Sequence, residues 1–520
     1  MTESNFYSRC QQNFSNSNPF LNLPNGRSYN YADLHHQSGR IANYLTQLGI
    51  RKGDRVIVQV EKSPQNLFWY FACMRAGFIY IPLNTAYLEH EIEYFIANAS
   101  PSFALCDPSR RAIFENHARC KIGTLDGEGN FLDDNALADS FGHADFETGS
   151  AEDTDYGDFE DTFFENEACD ASDIAVILYT SGTTGNPKGA MITHGNLLAN
   201  AATLSTAWGW QSNDVLLHAL PTFHIHGLFV ATHLVVFNGS EMNFMTKFDP
   251  EQVVNWLPKS SVYMGVPTNY VRLLAHEGLN GDICANMRLF TSGSAPLLAQ
   301  TFQDFEQRTG QTIVERYGMT ETGMNTSNPL SGKRKPGTVG PALAGVETKI
   351  CDDSGQQVSN GQAGTLYVKG ANVFKGYWQM PDKTAEEFTE DGFFKTGDIA
   401  SLDEDGYISI IGRDKDMIIS GGLNVYPKEI ESILDRLNGV TESAVIGVPH
   451  ADFGEAVVAV IVRAPYLTKQ GQLTETQIIT EMKATIAGFK VPKQVHFVDS
   501  LPRNTMGKVQ KNILRETYTS

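Results

Sequence analysis

Apolar residues recur at helical spacing through "YNYADLHHQSGRIANYLTQLG", where Leu34, Ile41, Leu45 and Leu48 share one face and Gly49 closes the segment. "DRVIVQV" then has the run of a strand, "PQNLFWYFACMRAG" the pattern of a second helix, and "FIYIPLN" that of a second strand. Helix alternating with strand predicts an α/β fold with a mainly parallel sheet. Farther on, the short apolar run "DIAVIL" predicts a buried strand, and the alternation continues to about residue 410. The pattern changes at "DEDGYISIIGRDKDMIISGGLNVYPKEIESIL". There two short strands flank a charged connector, and a Gly-Gly turn leads into a helix opening at Pro427. About a hundred residues remain, enough for a small α+β domain. A boundary near Arg413–Asp416 predicts domains 1–412 and 413–520.

The length of 520 residues agrees with two or three domains, and 41% hydrophobic against 19% charged residues agrees with a large core. Forty basic against sixty acidic residues give a net charge of −20, which disfavours general nucleic-acid or anionic-membrane binding. Seven scattered cysteines without a CxxC pair argue against a disulfide framework or structural zinc site, and for a reducing, cytoplasmic compartment. The N-terminus lacks the basic start and apolar core of a signal peptide, and no apolar run is long enough to predict a membrane span. The acidic stretch 143–170 has no periodicity and is expected to be a solvated surface loop.

Directly after "DIAVIL" comes "YTSGTTGNPKG" (Tyr179–Gly189). Glycine-freed backbone N–H groups, hydroxyls and a lysine make an anion cradle, here without the Walker spacing. A turn that binds nothing is the plain alternative. Five further motifs follow: "SGSAPL" at 292–297, "ERYGMTETG" at 315–323, "KTGD" at 395–398, "GRDKDMIISGGLNVYP" at 412–427 and "LPRNTMGKVQK" at 501–511. In this order they resemble the motifs of the adenylate-forming enzymes, which include acyl-CoA synthetases, luciferases and adenylation domains. The resemblance covers essentially the whole chain. It implies a large N-terminal domain of mainly parallel sheets flanked by helices, a β-barrel-like subdomain, and a small mobile C-terminal domain.

The implied chemistry is attack of a carboxylate on the α-phosphate of ATP, followed by displacement of AMP by a thiol. Both steps gather negative charge, so catalysis is mostly orientation and charge stabilisation. The resemblance assigns the phosphates to Thr180, Ser181, Gly182, Thr183, Thr184, Gly185 and Lys188. Thr320 would bond the α-phosphate, and Glu321, with Thr184, would hold Mg²⁺. Asp398 and Arg413 would take the ribose, and Tyr317 would stack on adenine beside Ser294, Ala295 and Pro296. Glu315, Arg316, Gly318 and Met319 complete the nucleotide set, and Gly421 and Gly422 belong to the loop presented for thioester formation. Lys508 would bridge the substrate carboxylate and α-phosphate until the C-terminal domain rotates about Lys415.

The chain ends soon after Lys508 with no carrier domain, which favours free coenzyme A as acceptor. "MGVPTNYVRLLAHEG" predicts a helix starting near Pro267, with Arg272 about a turn and a half on. Spacing alone leaves Arg272 facing solvent. "VQVEKSP", "PLNTAY", "FHIHGL" and "GVPTNYVRLL", however, are similar to the malonyl-CoA synthetases, in which an arginine here and the second serine of "SGS" hold the distal carboxylate. The resemblance thus implies Arg272 and Ser294, with His224 nearby, and malonate or methylmalonate as acid. A short- or medium-chain acyl-CoA synthetase and a nucleotide-sensing scaffold are the competing expectations. His224 and His226 as metal ligands lack an evident third partner. A monomer or homodimer is expected.

Overall fold

The structure, a computed structural model, describes residues 4–133, 164–180, 187–420, 423–450, 454–464, 473–486, 488–504 and 507–519. Its strands form four sheets. A seven-stranded sheet runs in the order Gly376–Tyr377, Lys188–Thr193, Ile174–Thr180, Ile79–Pro82, Arg55–Gln59, Phe103–Cys106, Lys121–Thr124. From Ile174–Thr180 to Lys121–Thr124 its pairings are parallel. An eight-stranded sheet has a parallel centre of Ile313–Met319, Leu289–Ser292, Val262–Gly265, Val215–His218 and Glu241–Phe244.

Helices bridge the two sheets because their apolar residues face both. Helix Tyr31–Gln47 buries Leu34, Ile41 and Leu45, as its spacing predicts. Helix Pro64–Ala76 is buried almost all round, so its apolar run shows no single face. Ser63 caps its start by accepting from Asn66 N, and Gly77 at φ 65° ends it in a left-handed turn. The largest core cluster joins Val56 and Val58 of one sheet to Leu216 and Met242 of the other through these helices.

The barrel-like element is a four-stranded antiparallel sheet, Val346–Cys351, Gly364–Gly370, Phe394–Leu402 and Ile408–Arg413. After the one-turn helix Asp414–Asp416, the strands from Ile418 onward make a separate sheet. Its long hairpin Val440–His450/Gly454–Arg463 buries Val445, Val457 and Ile461 on one face and Ile446, Val458 and Val460 on the other. The helix opens at Pro427 as expected, and a short strand the sequence did not reveal, Leu423–Val425, pairs with Ile418–Ser420 before it. Three residues are too few for an alternation to register.

Most of the acidic stretch lies outside the described residues; its end is a loop with exposed acidic side chains that is nonetheless anchored to the core. Arg75, buried, donates to Phe164 O and Asn166 Oδ1, Glu167 N donates to Arg75 O, and Cys169 is buried. Net charge masked these few anchoring groups.

Candidate functional site

The site gathers at the carboxyl ends of the parallel strands of the larger sheet, the usual place for ligands in α/β sheets. On one side, Asp398 and Arg413 are cross-strand partners in the antiparallel sheet, with Arg413 Nε 2.9 Å from Asp398 Oδ1. The Tyr317 hydroxyl donates to Asp398 Oδ2, and Asp398 N donates to Thr396 Oγ1 at 3.0 Å. Asp398 raises the Arg413 pKa, and burial together with that carboxylate pushes the Tyr317 phenol well up.

Next to it, Glu321 is buried at the turn after strand Ile313–Met319, and Thr320 precedes it half-buried. Tyr377 Oη donates to Glu321 Oε1 at 3.1 Å. Burial raises the Glu321 pKa, while Lys188 and Arg413 draw it back. Lys188 Nζ sits 4.2 Å over the Tyr377 ring and 3.6 Å from Glu387 Oε1, and Thr180 Oγ1 donates to Lys188 O at 3.4 Å. Glu315 accepts from Gly337 N at 3.1 Å, and burial pushes its carboxyl up to about 7.

The opposite side is built differently. After strand Leu289–Ser292 the chain passes Gly293, where an added Cβ would meet the Arg316 guanidinium at 2.5 Å. Only glycine permits that approach. Ser294 then takes φ 71°, a left-handed conformation that costs a non-glycine residue about 1–3 kcal/mol. Ser294 Oγ lies 3.3 Å from His226 Nδ1, and His226 N donates to His224 Nδ1 at 3.3 Å. Burial, with Lys508 and Arg316 beside it, pushes the His224 imidazole down to about 3. Arg316 is 4% exposed, yet its Nε and Nη2 reach no acceptor among the described residues, and burial lowers its pKa to about 9.

Helix Pro267–Leu274 starts as predicted, with Pro267 at its first position and Asn269 Oδ1 accepting from Val266 N. Arg272, in its last turn, has its guanidinium 4.9 Å above the Phe248 ring and lines a cavity of about 470 Å³. Thr268 and Phe248 line the same cavity, as do Arg503, Asn504 and Gly507 from the C-terminal part. Asn504 Oδ1 accepts from Lys508 N at 3.0 Å, and Arg503 Nη1 donates to Gly507 O at 2.5 Å, so this loop is braced where it meets the cleft.

Of the residues singled out from the sequence, Ser181, Gly182, Thr183, Thr184, Gly185, Gly421 and Gly422 lie outside the described residues. Lys415 falls in the one-turn helix Asp414–Asp416. Gly318 and Met319 end their strand, Ala295 is half-buried and Pro296 exposed. Sequence reading missed Tyr377 and Glu387, which lie more than fifty residues from Glu321 and meet it or Lys188 only through the fold. Among the described residues no group of three metal-ligating side chains occurs, and no helix is long and apolar enough to cross a membrane.

A cleft at the strand ends, closed by a small C-terminal domain that carries a lysine loop, defines an adenylate-forming enzyme. Two family models match most of the chain: "AMP-binding enzyme" residues 10–378 and "AMP-binding enzyme C-terminal domain" residues 429–508. The chain belongs to this family of AMP-binding acyl-CoA synthetases and is an acid–thiol ligase that uses ATP and CoA. A malonate–CoA ligase of Arabidopsis thaliana is 33% identical over 534 residues, covering 95% of this chain and 85% of its own. A long-chain-fatty-acid–CoA ligase of Bacillus subtilis is 32% identical over 524 residues, covering 95% and 91%. ATP-bound MatB of Rhodopseudomonas palustris superposes with a TM-score of 0.92 at 47% identity, covering 100% of this chain and 99% of that one.

Proposed function

We propose that the enzyme ligates malonate to coenzyme A through malonyl-adenylate, releasing pyrophosphate and then AMP. The single observation that carries the choice of acid is the surplus of positive charge on one side of the cleft. Arg272 lines the cavity, and the buried Arg316 stands against Gly293 and beside His224, its Nε and Nη2 reaching no acceptor among the described residues. A buried guanidinium without a counter-charge is costly, and a dicarboxylate supplies one. Similarity to the Arabidopsis malonate–CoA ligase and to MatB supports the same reading.

In this reading one malonate oxygen attacks the α-phosphorus while the bond to the β-phosphate bridge breaks. Lys508 and Thr320 steady the reacting carboxylate and α-phosphate, and Asp398 with Arg413 receives the ribose. The other carboxylate lies against Arg272, the Ser294 hydroxyl and neutral His224. Arg316, assigned to the nucleotide from its motif, has its guanidinium against Gly293 and near His224, so it also adds positive charge on this side. The thiol of CoA then attacks the acyl carbon, AMP leaves, and the C-terminal part of the chain turns about Lys415 between the two steps. Glu321 fits a hard dication: it is buried, and among the described residues one side-chain donor, Tyr377, reaches it. With Thr184 it would hold Mg²⁺, which supplies charge neutralisation on the phosphates. Seven free thiols fit a reducing, cytoplasmic compartment.

The test is CoA-dependent AMP release with malonate, methylmalonate, butyrate and octanoate, with the thioester identified by mass. Malonate is expected to lead both monocarboxylates. Octanoate turnover equal to malonate would replace this reading with a general acyl-CoA synthetase.

A further inference from the structure

Lys62 is buried in the connection between strand Arg55–Gln59 and helix Pro64–Ala76, and its ammonium crosses from one large sheet to the other. Nζ lies 3.0 Å from His218 Nδ1, 3.0 Å from His218 O and 2.6 Å from Met245 O. His218 ends strand Val215–His218, and Met245 follows strand Glu241–Phe244. The ring continues the connection, with His218 Nε2 2.9 Å from Gly227 O and 3.1 Å from Thr232 Oγ1. A carbonyl only accepts, so Nε2 carries its hydrogen and Nδ1 is left to accept from Lys62. Burial pushes the Lys62 pKa well down.

Gly227 and Thr232 belong to a π-helical stretch, His226–Thr232, a rare geometry that recurs at functional sites. The Thr232 hydroxyl donates to Gly227 O at 2.9 Å alongside His218, so this carbonyl is where the ring meets the turn. The start of the stretch is wedged against the preceding loop: a Cβ on Gly227 would lie 2.0 Å from Pro221 O. At that same start stands His226, whose Nδ1 meets the left-handed Ser294. A strained residue persists only where its surroundings over-determine it.

We propose that Lys62, His218 and Thr232 are positioning residues that hold the π-helical turn, and through it the His226–Ser294 contact, in the geometry that receives the second carboxylate of the acid. His218 and Thr232 act without touching the substrate, and Lys62 braces the turn from the wall of the cavity that Arg272 also lines. The inference rests on the malonate reading above, since it assigns the device to the acid side of the cleft.

Thr232→Val keeps the shape and deletes one donor to Gly227 O, while Lys62→Met deletes the strut. His218→Ala deletes the relay, and His218→Gln restores a donor toward Gly227 O. Each variant is assayed for the KM of malonate, the KM of ATP and the ratio of malonate to butyrate turnover. Expected is a rise of about 5- to 20-fold in the KM of malonate, as for the loss of one or two buried hydrogen bonds. The KM of ATP should stay within about twofold, the preference over butyrate should fall in step, and His218→Gln should recover part of the loss. A purely structural role would lower the active fraction and leave both KM values unmoved, or move both together. Either result overturns the proposal. Thr232→Val, nearly isosteric, decides the matter should Lys62→Met not fold. A wild-type enzyme without any preference for malonate would instead overturn the malonate reading itself.

Discussion

The two sides of the cleft are paired to different degrees. On the nucleotide side the charged groups already have internal partners: Asp398 with Arg413 and Tyr317, Glu321 with Tyr377, Lys188 with Glu387. On the acid side Arg316 is buried with two donor nitrogens unsatisfied among the described residues, Arg272 rests on an aromatic ring, and His224 is held neutral. A site whose partners are supplied by the protein is preorganised for a ligand that adds a few polar contacts to it. A site with surplus positive charge is completed by its ligand, and it discriminates against any acid that cannot supply the missing charge.

Four variants bear on that contrast, the largest effect first. Lys508→Ala removes the cation proposed to span both sides during adenylation. Pyrophosphate release should fall by about 10²–10⁴-fold, while thioester formation from preformed malonyl-adenylate survives. Adenylation at the wild-type rate would remove Lys508 from the chemistry. Arg272→Leu should lower kcat/KM for malonate by about 30- to 1,000-fold and for butyrate far less, because only the dicarboxylate loses the counter-charge of this exposed guanidinium, which the bound acid covers. Equal losses on both acids would make Arg272 a structural residue. Asp398→Asn should act in the opposite pattern, raising the KM of ATP by about 10- to 100-fold and that of malonate little.

The smallest effect concerns Glu315, whose carboxyl is raised to about 7 by burial. A raised acid binds more protons folded than unfolded, so it contributes stability at low pH that is lost as pH rises from about 4.5 to about 7. Glu315→Gln should therefore flatten that decline and leave the variant more stable than wild type at pH 8, by about 1–3 kcal/mol. Denaturant titrations at pH 5 and pH 8 read the difference, and an unchanged slope would show Glu315 ionised throughout.

The contrast also separates what the sequence discloses from what it hides. Nucleotide-side residues stand in compact motifs, so Thr320, Glu321, Asp398 and Arg413 are legible as a group, as are the helices and strands with clear periodicity. Asp398 and Arg413 pair across neighbouring strands only fifteen residues apart. Acid-side geometry depends on contacts between distant segments: Arg316 against Gly293, His226 against Ser294, Lys62 against His218 and Met245. Nothing local marks Lys62, because a lysine beside a helix N-terminus is usually solvated. Arg316 carried a nucleotide assignment through its motif, and its contact with Gly293, more than twenty residues earlier, appears only in the fold. Strand Leu423–Val425 was too short for its pattern to show.

The measurement closest to the central claim is the ratio of kcat/KM for malonate to that for butyrate, two acids of similar size that differ by one carboxylate. A cleft whose acid side is completed by a second negative charge predicts a ratio of about 100 or more, carried mainly by Arg272 and Arg316. A ratio near one in the wild-type enzyme would mean that the surplus positive charge is neutralised without the substrate, and would contradict the account.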